Sequence, residues 1–177
     1  MAQDSSLIAE IAPEALTPDQ AAILAAVEKG RGFVPRPFKV WLHNPTLAVP
    51  MEALGTYLNT SSSLSVREYE IAVVVVARRV ASAFPLHAHL RNLEKAGHPK
   101  EVVEALRDGR APTLASEREA VIYEIARTSN DPEPTSDELF ERAVAALGRN
   151  GLADVIALIG YYTGVCLAMK LHRVPPG

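Results

Sequence analysis

The sequence has very little sulfur with which to do chemistry, since a single cysteine, Cys166, occurs among its 177 residues. One cysteine excludes an intrachain disulfide, a Cys-x-x-Cys redox pair and a zinc site built from thiolates. Because Cys166 lies in the middle of an apolar run, we expect it to be a small buried side chain rather than a reactive thiol. The composition therefore gives no support to thiol-based redox chemistry.

The chain also lacks an excess of charge of either sign, its formal net charge being -3. This balance gives no electrostatic reason to expect a nucleic acid or an anionic membrane as a partner. The sequence contains no glycine-rich phosphate loop and no Ser-His-Asp signature. The N-terminal residues are acidic where a secretory signal would be basic, which favours a cytoplasmic location.

Long hydrophobic runs are missing except for one near the C-terminus, where Val155 to Met169 contains no charged residue. Asp154 and Lys170 bracket this run, which is shorter than the roughly 20 residues that a bilayer requires. We therefore expect a helix buried in a core or between subunits, and no membrane as a partner. Gly160 and Gly164 share a face of that helix and would allow another backbone to come close, either in the same chain or in another subunit.

Helix-start signals recur from end to end of the chain and predict an all-α fold, a compact bundle of about seven or eight helices. The valine-rich segment that follows Ser65 is included, because a capping box precedes it and the run is too long for an average strand. No linker is long enough to separate two units, so we expect one domain over 1–177, with 1–30 as an N-terminal helical extension. The signals are Thr17-Pro18-Asp19-Gln20, Asn44-Pro45, Ser65-x-x-Glu68, Ser116-x-x-Glu119 and Ser136.

Two histidines stand out in the segment "ASAFPLHAHLRNLEKAG", where Pro85, His87 and His89 alternate with other residues. Residues two apart on a helix diverge by about 200°, so His87 and His89 cannot bind one ion together. The chain has no His-x-x-x-His or His-Glu-x-x-His spacing. We therefore expect neither a metal nor another cofactor.

Three separated segments resemble the carboxymuconolactone decarboxylase family, which also includes the alkyl hydroperoxidase D-like proteins. Together they cover most of the chain from about Gly30 onward. The resemblance implies the alkyl hydroperoxidase D-like fold, a small-molecule substrate and a homo-oligomer, typically a trimer or a hexamer. The segments are "HNPTLAVPMEALGTYLNTSSSLS", "SVREYEIAVVVVARRVASAFPLHAHLRNLEKAG" and "TSDELFERAVAALGRNGLADVIALIGYYTGVCLAMKLHRVP".

The hydroperoxidase branch of this family carries a Glu, then Cys-x-x-Cys, then a His. Anchored on Gly97, the resemblance places the Glu at Glu70, the His at His89 and the two cysteines at Ser82 and Pro85. Peroxide reduction requires the two thiols, so this activity is disfavoured. Other members place Tyr-Glu-x-x-x-His here. In this chain Phe84 and Pro85 stand at the aromatic and acidic positions, which also removes a carboxylate near the histidine.

Glu70 and His89 remain as the candidate catalytic pair. Loss of CO2 from a carboxylated lactone or ring acid leaves a dienolate, to which His89 would donate a proton while Glu70 orients the imidazole. Arg78 or its neighbour Arg79 would hold the substrate carboxylate. The other candidate substrate-binding residues are Ser82, Phe84, His87 and His43.

The sequence is compatible with three functions. The preferred one is a cofactor-independent lyase resembling 4-carboxymuconolactone decarboxylase. The second is reduction of hydroperoxides by analogy with the family. The third is a catalytically silent helical oligomer that binds a small ligand, in which a buried Glu70–His89 hydrogen bond only ties two helices together.

Overall fold

The fold is built from α-helices alone over residues 6–176, the part of the chain that the computed structural model describes. This confirms the predicted all-α class and the predicted number of helices. A short 3₁₀ turn, Pro13–Ala15, precedes them. The eight α-helices are α1 (Pro18–Arg31), α2 (Arg36–Trp41), α3 (Pro45–Thr60), α4 (Val66–Val80), α5 (Ala83–Lys95), α6 (Lys100–Asp108), α7 (Glu117–Thr128) and α8 (Asp137–Leu171).

The valine-rich segment forms α4, the central helix of the bundle, which packs against α5, α7 and α8. Ser65 caps it through both bonds of a capping box with Glu68. Every residue of 68–77 is buried. Burial on all sides stabilises β-branched side chains that have only modest intrinsic helix propensity. The prediction of a helix for this segment is therefore confirmed.

The α4–α5 connection consists of Ala81 and Ser82 only. Ala81 adopts the left-handed conformation at φ 54°, and the chain turns so that α5 folds back along α4. The buried Ser82 hydroxyl donates to the backbone carbonyl of Cys166 on α8, with an O–O distance of 2.9 Å. This bond anchors the connection to the core and fixes where the first residues of α5 lie.

The last helix, α8, breaks at Gly148, whose φ of 67° and ψ of 171° are not helical. By length and composition alone α8 could cross a bilayer, but one such helix is weak evidence for a membrane span, and half of its apolar 18-residue window is buried inside the protein. A Cβ added at Gly160 or Gly164 would meet no atom within 4 Å. Close packing of these glycines inside the chain is therefore absent, and their face of α8 is open.

The N-terminal helices have a small apolar cluster of their own, separate from the main core. Val27 of α1 and Phe38 of α2 pack there against Ala48 of α3. The α1–α2 segment lies beside the C-terminal half of α8, because α2 contacts α8 as well as α3. It thereby forms the outer wall of the cavity described next.

Candidate active site

Glu70 of α4 and His89 of α5 form a short hydrogen bond, with 2.6 Å between Nδ1 of the imidazole and Oε2 of the carboxylate. Both side chains are largely buried, at 7 % exposure for Glu70 and 14 % for His89. With the carboxylate ionised, Nδ1–H is the donor, so the neutral ring keeps its lone pair on Nε2. Nε2 has no hydrogen-bond partner within residues 6–176 and is the nitrogen left for a ligand.

His89 lines a cavity of about 300 Å³, here called the His89 cavity. Its walls are mostly aromatic and proline side chains, with amide groups and a few charged groups among them. The α1–α2 segment contributes Arg31, Phe33, Pro35, Arg36, Pro37, Phe38 and Trp41. The core helices contribute Glu52, Asn59, Phe84, Pro85, Ala88, His89, Asn92, Tyr161, Tyr162 and Val165.

Two tyrosines connect the imidazole to the core. The ring of Tyr162 meets that of His89 edge to face, at a centroid distance of 5.1 Å, and its hydroxyl lies 2.8 Å from that of Tyr69. Burial raises the pKa of Tyr162 well above its ordinary value and raises the pKa of Tyr69 to about 12. Both phenols are therefore uncharged at neutral pH, and their hydroxyls can donate or accept hydrogen bonds without adding charge beside His89.

Two guanidinium groups lie in the wall of the same cavity. Arg31 donates through Nε to Glu52 at 2.6 Å, and Arg36 lies over the ring of Phe84, 5.8 Å from its centroid. Sequence reasoning missed both arginines, which precede His89 by more than 50 residues. No local spacing connects them to the histidine, and only the packing of the α1–α2 segment brings them there.

The predicted carboxylate-binding arginines lie elsewhere. Arg78 donates to the backbone carbonyls of Arg107 and Asp108 at the C-terminus of α6, and Arg79 forms an ion pair with Asp131 at 3.2 Å. Both line a different cavity. They stand eight or nine residues beyond Glu70 on α4, and this rise carries them past the reach of a ligand at His89.

Of the other predicted substrate-binding residues, only Phe84 lines the His89 cavity. Ser82 is buried and its hydroxyl is committed to the carbonyl of Cys166. His87 is exposed, as expected for a residue about 200° around α5 from His89. His43 is exposed too, and its Nε2 lies 2.7 Å from the carbonyl oxygen of Ala9. Ser82, His87 and His43 therefore lie outside the lining of the His89 cavity.

The single thiol is poorly suited to attack a peroxide. Cys166 is fully buried, and this burial raises its pKa to about 12. At neutral pH the side chain is the neutral thiol, whereas the thiolate is the nucleophile. Within residues 6–176, no three His, Cys, Asp or Glu side chains lie together in a group that could hold a metal ion.

Solved structures share this architecture, although no family model and no curated protein matches the sequence. The debrominase Bmp8 superposes with a TM-score of 0.74 at 13% identity, covering 97% of this chain and 92% of that one. A peroxidase-related protein from Silicibacter sp. TM1040 gives 0.74 at 17% identity, covering 100% and 93%. A protein of unknown function from Agrobacterium tumefaciens, assigned to the antioxidant defence protein AhpD, gives 0.65 at 15% identity, covering 78% and 95%. The chain has the AhpD-like fold.

Proposed function

We propose that the chain is a cofactor-independent lyase that decarboxylates a small carboxylated lactone or ring acid in the His89 cavity. One observation carries the proposal: a buried carboxylate–imidazole pair stands in the wall of an aromatic cavity, with Nε2 of His89 left for a ligand. A carboxylate on Nδ1 fixes the tautomer and stabilises the imidazolium, which suits a general acid.

The proton moves in the second half of the reaction. The bond between the substrate carbon and its carboxylate breaks, CO2 leaves, and the electron pair passes into the conjugated carbonyl group. Nε2–H of the protonated His89 then donates its proton to the carbon that has lost CO2. Glu70 holds the ring in place throughout, and the neutral imidazole recovers its proton from water. One proton is consumed for each CO2 released.

The walls of the cavity supply the binding groups for such a substrate. Phe84, Trp41 and Tyr162 offer aromatic surface against which a planar ring can pack. Arg31 donates through Nε to Glu52, and the remaining N–H groups of its planar guanidinium suit a carboxylate. A volume of about 300 Å³ is at the small end of ligand cavities, as fits a monocyclic compound.

A structural neighbour supports a small ring as the ligand. A variant of the debrominase Bmp8 was solved in complex with 2,3,4-tribromopyrrole. That protein shares the AhpD-like fold with this chain at 14% identity. A five-membered ring compound is therefore a ligand that a protein of this fold binds, which is compatible with the size and the aromatic walls of the His89 cavity.

The two other functions make different demands. Hydroperoxide reduction would need a thiolate, and the buried Cys166 does not supply one at neutral pH. A silent oligomer would need only ligand binding, with the Glu70–His89 bond as a structural tie. An Nε2 left for a ligand argues for a binding site rather than for a bare tie between helices, which uses only Nδ1. Release of CO2 separates the lyase from a silent protein that only binds.

For the assembly, we propose a homo-oligomer, a trimer or a hexamer, in which the open face of α8 is covered. Ile156, Leu167 and Leu171 on this helix are 59%, 54% and 75% exposed. Exposed apolar side chains in this number on one helix are typical of a subunit interface. For the location, the cytoplasm is the proposal that fits the sequence.

The experiment combines binding with turnover. The only tryptophan in the chain, Trp41, lies in the cavity wall, so its fluorescence should change saturably as 4-carboxymuconolactone is added. Release of CO2 in the same mixture is the expected second result. A saturable fluorescence change without CO2 would refute the lyase and favour the silent oligomer. If neither signal appears with this lactone or a panel of ring acids, both proposals fail.

A further inference from the structure

A second cavity, of about 260 Å³, opens where the C-terminal end of α4 meets the α6–α7 connection and α7. Four of its eight lining residues are arginines, and it is called the arginine cavity below. It has no residue in common with the His89 cavity. Its lining is Val75, Arg78, Arg79, Leu106, Gly109, Arg110, Tyr123 and Arg127.

Two carboxylates approach these arginines, both from outside the lining. Asp131 pairs with Arg79 at 3.2 Å, and Asp108 pairs with Arg110 at 3.0 Å. Their side chains are 41% and 52% exposed, so water competes for them. They offset half of the positive charge around the cavity and leave a surplus of two.

The surplus belongs to Arg78 and Arg127. Arg78 uses one N–H of each terminal nitrogen on two backbone carbonyls of α6, which carry no formal charge, and keeps its other three N–H donors. Arg127 forms no ion pair and no hydrogen bond with any residue in the described range 6–176, although it also borders a neighbouring hollow whose lining includes Glu124, Glu133 and Glu138. Guanidinium groups gathered around one hollow repel one another unless an anion lies among them. Within the lining of the arginine cavity, no carboxylate offsets the charges of Arg78 and Arg127.

The position of Arg78 is fixed in advance of any ligand. Gly109 ends α6 with a φ of 74°, a left-handed conformation that costs little only for glycine. A Cβ at this position would overlap the Arg78 guanidinium. Glycine thus allows Arg78 to lie flat over the end of α6. An arginine held in this way loses less side-chain freedom when an anion binds.

We propose that the arginine cavity binds a small ligand with a doubly charged oxyanion group, either a phosphate or a dicarboxylate. The fork of a guanidinium group pairs with two oxygens of such a group, and a dianion neutralises the surplus of two charges. Tyr123 lines the cavity as well, and Val75 and Leu106 add apolar surface. This site is independent of the chemistry proposed at His89, because the two cavities share no residue.

The test is isothermal titration calorimetry of the full chain at constant ionic strength, with inorganic phosphate and malonate in separate titrations. At least one dianion should bind saturably. Arg127→Gln should weaken that binding about tenfold, as expected for loss of a charge-assisted contact. The variant leaves no carboxylate without its partner, so its fold should persist, which its melting temperature checks.

The matched control is Arg91→Gln, since Arg91 is an exposed arginine of α5 outside the cavity. This variant should bind the dianion as the wild type does. A preference for phosphate or for malonate supports the site and identifies which oxyanion it takes. The proposal is overturned if neither dianion binds saturably, or if Arg127→Gln and Arg91→Gln have equal affinity for it.

Discussion

The His89 cavity and the arginine cavity both contain or contact residues of α4, yet their linings differ in chemistry. Glu70 serves the first and Arg78 the second, eight residues apart on one helix, or about 12 Å of rise. The His89 cavity has aromatic walls and a buried carboxylate–imidazole pair. The arginine cavity has four cations and no carboxylate in its lining. The first arrangement suits proton transfer on a ring acid, and the second suits binding of an anion without chemistry.

Residues that are close in sequence can therefore lie in different cavities. Arg78 is only six residues from Phe84, and His87 only two from His89, but neither Arg78 nor His87 lines the His89 cavity. Arg31 and Arg36 do, although they are distant in the chain. A helix distributes neighbouring residues around its axis, while tertiary packing brings distant residues together.

The largest effect is expected at the carboxylate of the His89 cavity. Glu70→Gln keeps the size of the side chain but removes the charge that orients and stabilises the imidazolium. Turnover of 4-carboxymuconolactone should fall about hundredfold, at the lower end of what acid–base groups contribute. Steady-state CO2 release measures it, with circular dichroism as the check on folding. A variant as active as the wild type would mean that the pair is only a structural tie.

A substitution beside the arginine cavity should lower the free energy of unfolding more than a substitution on the open face of α8. Gly109→Ala forces a left-handed alanine and an overlap with Arg78, so the free energy of unfolding should fall by about 2 kcal/mol. Gly160→Ala meets no neighbour, so the isolated chain should change by less than about 0.5 kcal/mol. Urea unfolding of both variants measures the contrast. Equal losses would contradict the packing at Gly109.

Arginine substitutions separate the two cavities directly. Arg31→Gln removes a guanidinium from the wall of the His89 cavity, so KM for the ring acid should rise about tenfold. Arg79→Gln removes one from the arginine cavity and should leave that KM unchanged. Kinetics of the two purified variants decide the matter. If KM rose in Arg79→Gln but not in Arg31→Gln, the substrate carboxylate would be bound by Arg79 at the end of α4, and the assignment to Arg31 would be wrong.

The smallest expected effect is a pH dependence of the protein's stability that is caused by His98. This residue lies in neither cavity. Burial lowers the pKa of His98 below its ordinary value of 6.5. Its buried Nδ1 has no hydrogen-bond partner in the described structure. The unfolded chain therefore binds this proton more readily than the folded one, so stability should decrease as the pH falls through 6.5 and below.

Thermal melting between neutral and mildly acidic pH checks this dependence. Replacement by an uncharged residue, His98→Gln, should make the melting temperature fall less steeply with pH. The exposed His87→Gln serves as the matched control and should keep the slope of the wild type. A slope that is the same in all three proteins would refute the assignment to His98.

Much of the fold could be predicted from the sequence, because its signals are local. The capping boxes at Thr17 and Ser65 are present as predicted, and Ser136 caps α8 as its helix-start signal predicts. The contact between Glu70 and His89 followed from spacing in the resemblance to a known family. Each of these inferences uses residues on one helix or on two consecutive ones.

The cavity walls could not be predicted, because they depend on contacts between distant segments. Nothing in the sequence near Arg36 shows that α2 lies beside α8. The hydrogen bond of the Ser82 hydroxyl could not be predicted either, since its acceptor is a backbone carbonyl 84 residues away. Arg78 and Arg79 were assigned to a carboxylate by proximity alone. The arginine cavity could not be predicted either, because Arg110 and Arg127 come from segments distant from α4 in the sequence.

In the proposed lyase, His89 donates a proton to a ring acid that is bound in the His89 cavity, and His87, the other histidine of α5, does not. The most direct test compares His89→Gln with His87→Gln, two variants of one chemical change on α5, by kcat/KM for release of CO2 from 4-carboxymuconolactone. We expect a loss of about hundredfold or more in His89→Gln and wild-type activity in His87→Gln. Equal activity in the two variants would contradict this expectation.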